Sequence, residues 1–287
     1  MCYIETVMTK ILYIFILLSF SHIAISQPCN GQNEGINKCE NSRLTCKNGS
    51  ENHPKNNCKH LNNSNLYNNT IKVDYEGFSV WLDCQRHGAI KFQYNAQHDT
   101  GHFPRANKFS LDSQVPKNCQ QMTANAYGHH YDRGHLVPAN HLDSSASAIK
   151  ATNNMTNILP QAANMNRGAW LVTEEITECY RDISELLIIG GVIWGNNPKD
   201  DFFVRSHGVK TPDAFWKVIV RGSGQDEHAI AWIVPNSKEA TRDKLDNYLV
   251  SVSEIEALTG EKIPVADYIK EIKPSASWLI PIGCNKG

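Results

Sequence analysis

Tyr131-Asp132-Arg133-Gly134-His135, continued by Leu136-Val137-Pro138-Ala139-Asn140, sets a cation, a backbone hinge and a near-neutral base within five residues. Histidine titrates at roughly 6.5, so it takes a proton from water at physiological pH. Two positions earlier the arginine presents a planar fork of donors that matches a phosphate. Gly134, between them, admits backbone geometry that a side chain would hinder. A second dense stretch follows: Asn157-Ile158-Leu159-Pro160-Gln161, then Asn164-Met165-Asn166-Arg167-Gly168-Ala169-Trp170, and Glu174.

Together, DRGH and N-x-x-P-Q-x-x-x-x-N-x-G-x-W-x-x-x-E resemble the DNA/RNA non-specific endonucleases. That family is similar to secreted bacterial sugar-non-specific nucleases and to mitochondrial endonuclease G. The resemblance covers residues 71–287 and implies an α+β fold, a mixed or antiparallel sheet core carrying a ββα-metal (His-Me finger) active site. It also implies an endonuclease that depends on magnesium, with manganese as the alternative ion. Its substrates would be DNA and RNA, cut with little sequence preference to leave 5′-phosphate and 3′-hydroxyl ends.

The resemblance carries roles onto particular residues. His135 is the expected general base; Arg133 stays protonated and Asn166 has no basic form, so nothing else in the motif accepts a proton at neutral pH. Asn166 is the expected direct metal ligand, with water completing the shell, as suits an ion reluctant to shed its hydration. Glu174, about two helical turns on, faces the same cleft and orients metal-bound water. The alternative for Glu174 is an exposed helical acid beside Glu175 and Glu178. Arg105 lies in Pro104-Arg105-Ala106-Asn107-Lys108-Phe109-Ser110-Leu111-Asp112, similar to the family segment R-x-x-x-F-x-x-D, where the arginine contacts phosphate. Arg133 belongs near the same group, an ion pair with Asp132 being the alternative. Asn157 supports the site through hydrogen bonds, and Trp170 packs the helix in place. His129 and His130 lie on the surface or flank the cleft. One position departs from the pattern: some members carry an arginine four residues after the helix glutamate, where this chain has Glu178. Arg181, three residues later, is the candidate substitute.

The N-terminal region has a different character. Lys10 precedes the apolar run Ile11–Leu18, and Ala24-Ile25-Ser26 ends it with small residues suited to cleavage before Gln27. Residues 1–26 are therefore expected to be a secretory signal, the alternative being a retained anchor; the run is shorter than the roughly 20 residues a span needs. The expected location is extracellular, or periplasmic in a bacterium. Residues 27–70 form an extension with 13 asparagines and four cysteines. It is poor in large apolar groups, hence either a disulfide-stapled cap or a mobile leader. Without Cys2 of the signal, eight of the nine cysteines remain, allowing up to four disulfides of unspecified pairing in an oxidising compartment. Zinc is the competing use, but no Cys-x-x-Cys pair is present. Sequons at Asn48, Asn62, Asn68 and Asn154 would matter only in a eukaryotic secretory pathway.

Alternating patterns predict strands over 78–82 and 89–94, an apolar run predicts a strand buried on both faces at 186–194, and 215–220 and 229–234 add two more. Helical patterns occupy about 164–185 and 253–259. The second opens with Ser253 and Glu256 at capping-box spacing and ends at Gly260. Strands and helices without strict alternation point to α+β. A net charge of −1 argues against a nucleic-acid coat, whereas an enzyme needs positive potential only in its cleft. Arg105, Arg133 and Arg167 supply it. Two rival functions share these features: a phosphodiesterase for nucleotides or small diesters, and a non-catalytic secreted nucleic-acid-binding module. The intact His135, Asn166 and Glu174 set weighs against the latter.

Overall fold

A computed structural model describes residues 69–286 apart from Asn197 and Asp200. The expected signal at 1–26 and the extension at 27–70 lie outside the described residues, except for Asn69 and Thr70.

Period-two patterning builds the opening meander of β1 (Thr70–Tyr75), β2 (Phe78–Asp83) and β3 (Gly88–Ala96), each antiparallel to the next. In β2, Phe78, Val80 and Leu82 are buried while Ser79 and Trp81 between them are half-buried. The chain then leaves the sheet for residues 97–185. That excursion holds β4 (Tyr131–His135), α1 (Ala146–Ala151), β5 (Ile158–Ala162), α2 (Ala163–Met165) and α3 (Leu171–Arg181). β4 and β5 pair antiparallel as a separate ribbon, with Arg133 opposite Pro160 and His135 opposite Ile158.

The chain rejoins the main sheet as β6 (Leu186–Ile193), passes through α4 (Val204–His207), and continues as β7 (Ala214–Arg221), β8 (His228–Pro235) and β9 (Leu249–Val250). α5 (Val252–Thr259) and α6 (Asp267–Lys270) follow. The order in the seven-stranded sheet is β1-β2-β3-β6-β7-β8-β9, antiparallel throughout. This is an α+β fold with an antiparallel core, and all five expected strands are present. Among the described residues no helix is long and apolar enough to cross a membrane.

Both faces of the sheet are covered, which is why β6 and β7 read as nearly continuous apolar runs. Phe215 and Ile219 of β7 pack into the cluster with Trp170 and Ile176, beneath α3. Trp216, Val218 and Val220 pack on the opposite side with Val252 and Ile255 of α5. Each such fully buried apolar side chain contributes about 1.5–3 kcal/mol. The sheet is thus a rigid floor on which α3 rests.

The start of α5 corrects an expectation. The capping box is Ser251 with Glu254, not Ser253 with Glu256: the Ser251 hydroxyl accepts from the Glu254 backbone N–H, and the Glu254 carboxylate accepts from the Ser251 N–H. The same S-x-x-E spacing occurs twice, two residues apart. Starting the helix at Val252 buries both Val252 and Ile255, and that burial selects the register. Gly260 ends the helix in a left-handed conformation, as expected.

Candidate active site

Elements of the excursion between β3 and β6, α3 among them, enclose a cleft of about 520 Å³. Its lining includes Arg105, Arg133, His135, Asn166, Arg167 and Glu174, and also Asn140, Asp143, Glu175 and Lys286. Five of the six residues assigned catalytic or metal roles therefore converge on one cavity. The sixth, Asn157, does not line it. Its buried amide bonds the Val137 N–H, the Val137 carbonyl and the Thr152 carbonyl, so it pins the chain just beyond His135.

His135 is 7 % exposed and sits at the end of β4. Its Nε2 lies 2.9 Å from Asn153 Oδ1, and its Nδ1 lies 3.4 Å from Arg105 Nη2. Arginine only donates and the Asn153 oxygen only accepts, so these partners assign the proton to Nε2 and leave the Nδ1 lone pair turned toward the cleft. Asn153 is itself fixed by donating to the Ala106 and Lys108 carbonyls. Burial, reinforced by the Arg105 charge, pushes the His135 pKa down to about 4 from its ordinary 6.5. The ring is neutral at pH 7, with Nδ1 unprotonated beside Arg105. Gly134 allows the close packing beneath it, for a Cβ there would fall 2.1 Å from Gln161 Oε1.

This shift has a signed consequence for stability. The unfolded chain binds a proton at His135 below about 6.5, and the folded chain only below about 4. The stability that the neutral buried ring permits is present above pH 6.5 and is lost as the pH falls toward 4, by about 3 kcal/mol. Unfolding free energies of the wild type and His135→Gln, measured in chelator between pH 4 and 7, should diverge by that order. Parallel curves would contradict the burial argument.

The second wall is made at the entry to α3. Residues Asn166–Trp170 form a π-helical turn broken at Gly168, whose φ and ψ of −112° and −112° are not helical. A Cβ at Gly168 would lie 2.7 Å from the Ala240 carbonyl, which accepts from the Ala169 N–H. This irregular turn, a device found often at functional sites, sets Asn166 and Glu174 on the same cleft without the continuous α-helix their spacing suggested. Asn166 Nδ2 donates to Asp132 Oδ2 at 2.9 Å, which fixes the amide and leaves its oxygen for another partner. Asp132 is held in turn by Arg167 through both carboxylate oxygens, at 2.8 and 2.7 Å. The alternative pairing of Asp132 with Arg133 is not what forms. Arg133 donates to the Ala124 carbonyl and lies 4.0 Å over the Phe109 ring.

Glu174 is half-buried, and desolvation raises its pKa to about 7 against the opposing charges of Lys217 and Arg105. Lys217 is fully buried in the middle of β7, its Nζ 2.8 Å from Thr173 Oγ1 and 3.9 Å from the Trp170 ring centroid. Desolvation lowers its pKa to about 8, with the Glu174 anion pulling the other way. A buried ammonium is tolerated only with such partners. Trp170 is buried against Phe215 as the expected packing residue. Among the described residues no group of three or more His, Cys, Asp or Glu side chains is placed to hold a metal. An ion in this cleft would therefore rest on the Asn166 oxygen and water, with Glu174 beside it to orient that water, an all-oxygen set suited to a hard divalent cation. Base, phosphate-binding cations and oxygen donors facing one cavity are the equipment for phosphodiester hydrolysis.

A family model described as DNA/RNA non-specific endonuclease matches residues 53–271. The chain belongs to the DNA/RNA non-specific endonuclease family. It is 30 % identical over 192 residues to a nuclease of Nostoc sp., covering 63 % of this chain and 66 % of that one. Nuclease C1 of Cunninghamella echinulata is 27 % identical over 162 residues, covering 53 % and 64 %. The human mitochondrial nuclease EXOG is 26 % identical over 168 residues, covering 53 % and 45 %. The chain thus spans about half to two thirds of the length of these curated relatives. A chain in a crystal structure of the EndoG/EndoGI complex superposes with a TM-score of 0.55 at 19 % identity, covering 66 % of this chain and 83 % of that one, a likeness of fold.

Against the endonuclease pattern, the departure at Glu178 has a structural outcome. Arg181 does not line the cleft. It is 3 % exposed and bonds Glu178 at 2.6 Å and the Asn140 carbonyl at 3.1 Å, with Asp99 at 3.3 Å. It neutralises Glu178 inside the protein and leaves the family position without a cation. His129 and His130 are exposed and absent from the cleft lining, and His129 stacks on Phe202 at 5.0 Å.

Two of the expected disulfides join described cysteines, Cys84–Cys119 and Cys179–Cys284. Cys29, Cys39, Cys46 and Cys58 lie outside the described residues, as do the sequons at Asn48, Asn62 and Asn68. The Asn154 sequon turns inward: Met155 and Thr156 are buried, and Thr156 bonds the Tyr75 hydroxyl.

Proposed function

We propose that this protein is a secreted endonuclease that hydrolyses phosphodiester bonds of DNA and RNA in the presence of magnesium and leaves 5′-phosphate ends. The observation that carries this reading is the His135 ring, held neutral with Nδ1 toward the cleft that Arg105, Asn166 and Glu174 share. His135 takes the proton from an attacking water. Arg105 and Arg133 bind and neutralise the scissile phosphate. Asp132 holds the Asn166 amide so that its oxygen would serve as metal ligand, and Glu174 would orient the water of that ion. Bound there, magnesium or manganese would supply charge relief on the phosphoryl oxygens. Asn153 and Asn157 position the base.

The catalytic unit in this reading is residues 71–287, with 1–26 removed on export and 27–70 an extension without a catalytic part. Some relatives are named as mitochondrial. Two disulfides among the described residues favour the secretory route, because disulfides persist in oxidising compartments.

Purified protein should cut circular plasmid and RNA with magnesium present and stop on adding chelator. The new ends should be ligatable, as 5′-phosphates are. Degradation of linear DNA alone would rule out an endonuclease. Turnover of a dinucleotide with the plasmid left intact would move the protein to the small-diester phosphodiesterases.

A further inference from the structure

Residues 277–286 form a strap along α3. At one end the Ser277 N–H donates to Asp246 Oδ1 at 2.9 Å, and the Trp232 indole donates to the Ser277 hydroxyl at 3.1 Å. Trp278 packs on Tyr180 with ring centroids 5.0 Å apart, and the Tyr180 hydroxyl donates to the Leu279 carbonyl at 3.1 Å. Cys284 is then bonded to Cys179. Beyond that link, Lys286 Nζ lies 3.4 Å from Glu175 Oε2 and lines the cleft. Tyr180, Cys179 and Glu175 are met in that order, so the strap runs from the far end of α3 back to the cleft.

Three facts give Lys286 work beyond pairing with Glu175. Glu175 Oε2 already accepts from Arg242 at 2.8 Å, so its charge is answered without the lysine. The Lys286 side chain is 49 % exposed, and an ammonium has three donors. Finally, the charged residues that α3 brings to the cleft, beside Leu171, are both acids, Glu174 and Glu175, while Arg105, Arg133 and Arg167 stand on other elements. Arg242 pairs with Glu175 from outside the cleft lining, so on the α3 side Lys286 is the lining cation that an approaching phosphate meets beside Glu174. A half-exposed ion pair is screened and holds a flexible lysine weakly, whereas the disulfide two residues away limits where it can go.

We propose that Lys286 is a substrate-binding cation that contacts a backbone phosphate of the polynucleotide, and that the Cys179–Cys284 disulfide presents it. Reducing that bond frees the strap and weakens substrate binding while the reacting groups stay in place. This rests on the polynucleotide reading above.

The test compares wild type, Lys286→Gln, Lys286→Arg, Cys284→Ser and the Cys284→Ser/Lys286→Gln double variant. Plasmid-cleavage kinetics are measured with magnesium, and binding of a fluorescent DNA duplex is measured in chelator across a salt series. Removing a single phosphate-binding cation changes the log–log salt slope by about 0.9, or about five-fold in affinity near 0.15 M salt. Lys286→Gln should raise KM by about that factor, flatten the slope by about one and shift kcat little. Lys286→Arg should keep the wild-type values. Cys284→Ser should reproduce the KM rise, and adding Lys286→Gln to it should change little more. A purely structural strap would leave the salt slope alone. A Lys286→Gln protein with wild-type KM and slope overturns the proposal, and full additivity in the double variant overturns the role of the disulfide. If Cys284→Ser does not fold, Lys286→Gln still decides, since it keeps the disulfide. A wild type that neither cuts nor binds refutes the polynucleotide reading itself and this proposal with it.

Discussion

His135→Ala should lower the cleavage rate by at least ~10²–10⁴-fold, the usual contribution of a positioned acid–base group, while nucleic acid and metal still bind. The reason is local. Nδ1 is the lone pair turned toward the cleft, and Nε2 is committed to Asn153. Of the other lining groups, Arg105, Arg133 and Arg167 stay protonated, and Asn166 has no basic form. Glu174 could take a proton, its pKa being raised to about 7 by burial, but it belongs to the opposite wall of the cleft with Asn166. Truncation also strands the Asn153 carbonyl in a buried site, which costs about 1–3 kcal/mol, so rates should be compared below the variant's own unfolding temperature. His135→Gln restores a donor toward Asn153 without restoring a base and should be as slow as alanine. Single-turnover rates at saturating substrate give the answer, and near-wild-type activity in either variant would remove His135 from the mechanism.

The outline of this site was legible in the chain because most of its parts fall in two dense stretches, each made by consecutive elements, with Arg105 apart in the 104–112 segment. Arg133 and His135 share one short strand, and Asn166 and Glu174 flank one irregular turn. What the stretches could not disclose is who holds each group still. The Asp132 tether on Asn166 spans 34 residues, and Lys286 meets Glu175 only because the strap returns along α3. Nothing periodic marks such partnerships. Lys217 did leave a trace: in Phe215-Trp216-Lys217-Val218-Ile219-Val220, period two puts it on the face of Phe215 and Ile219, a charge aimed inward. Asn153 left less, since Asn153 and Asn154 are adjacent and only folding shows which one faces the base. The capping box slipped by two residues for a related reason, because identical spacings compete and tertiary burial decides between them.

Asn166→Ala should fail differently from the base variant, through metal and not through the proton. If the Asn166 oxygen is the direct protein ligand, its loss weakens magnesium binding, and excess metal restores part of the rate because water can enter the vacated position. Asp132→Ala supplies the intermediate case. Asp132 touches no substrate group in this reading but fixes the Asn166 amide by a 2.9 Å bond, and losing an outer-shell partner typically costs about 10–100-fold in metal affinity or activity. The apparent magnesium constant should therefore rise from wild type to Asp132→Ala to Asn166→Ala, with the rate at saturating metal recovering most in Asp132→Ala. His135→Ala should keep the wild-type magnesium constant and stay slow at every concentration. Cleavage rates against magnesium for the four proteins make the comparison. Rescue of His135→Ala by surplus magnesium, with Asn166→Ala unmoved, would mean that base and ligand have been assigned the wrong way round.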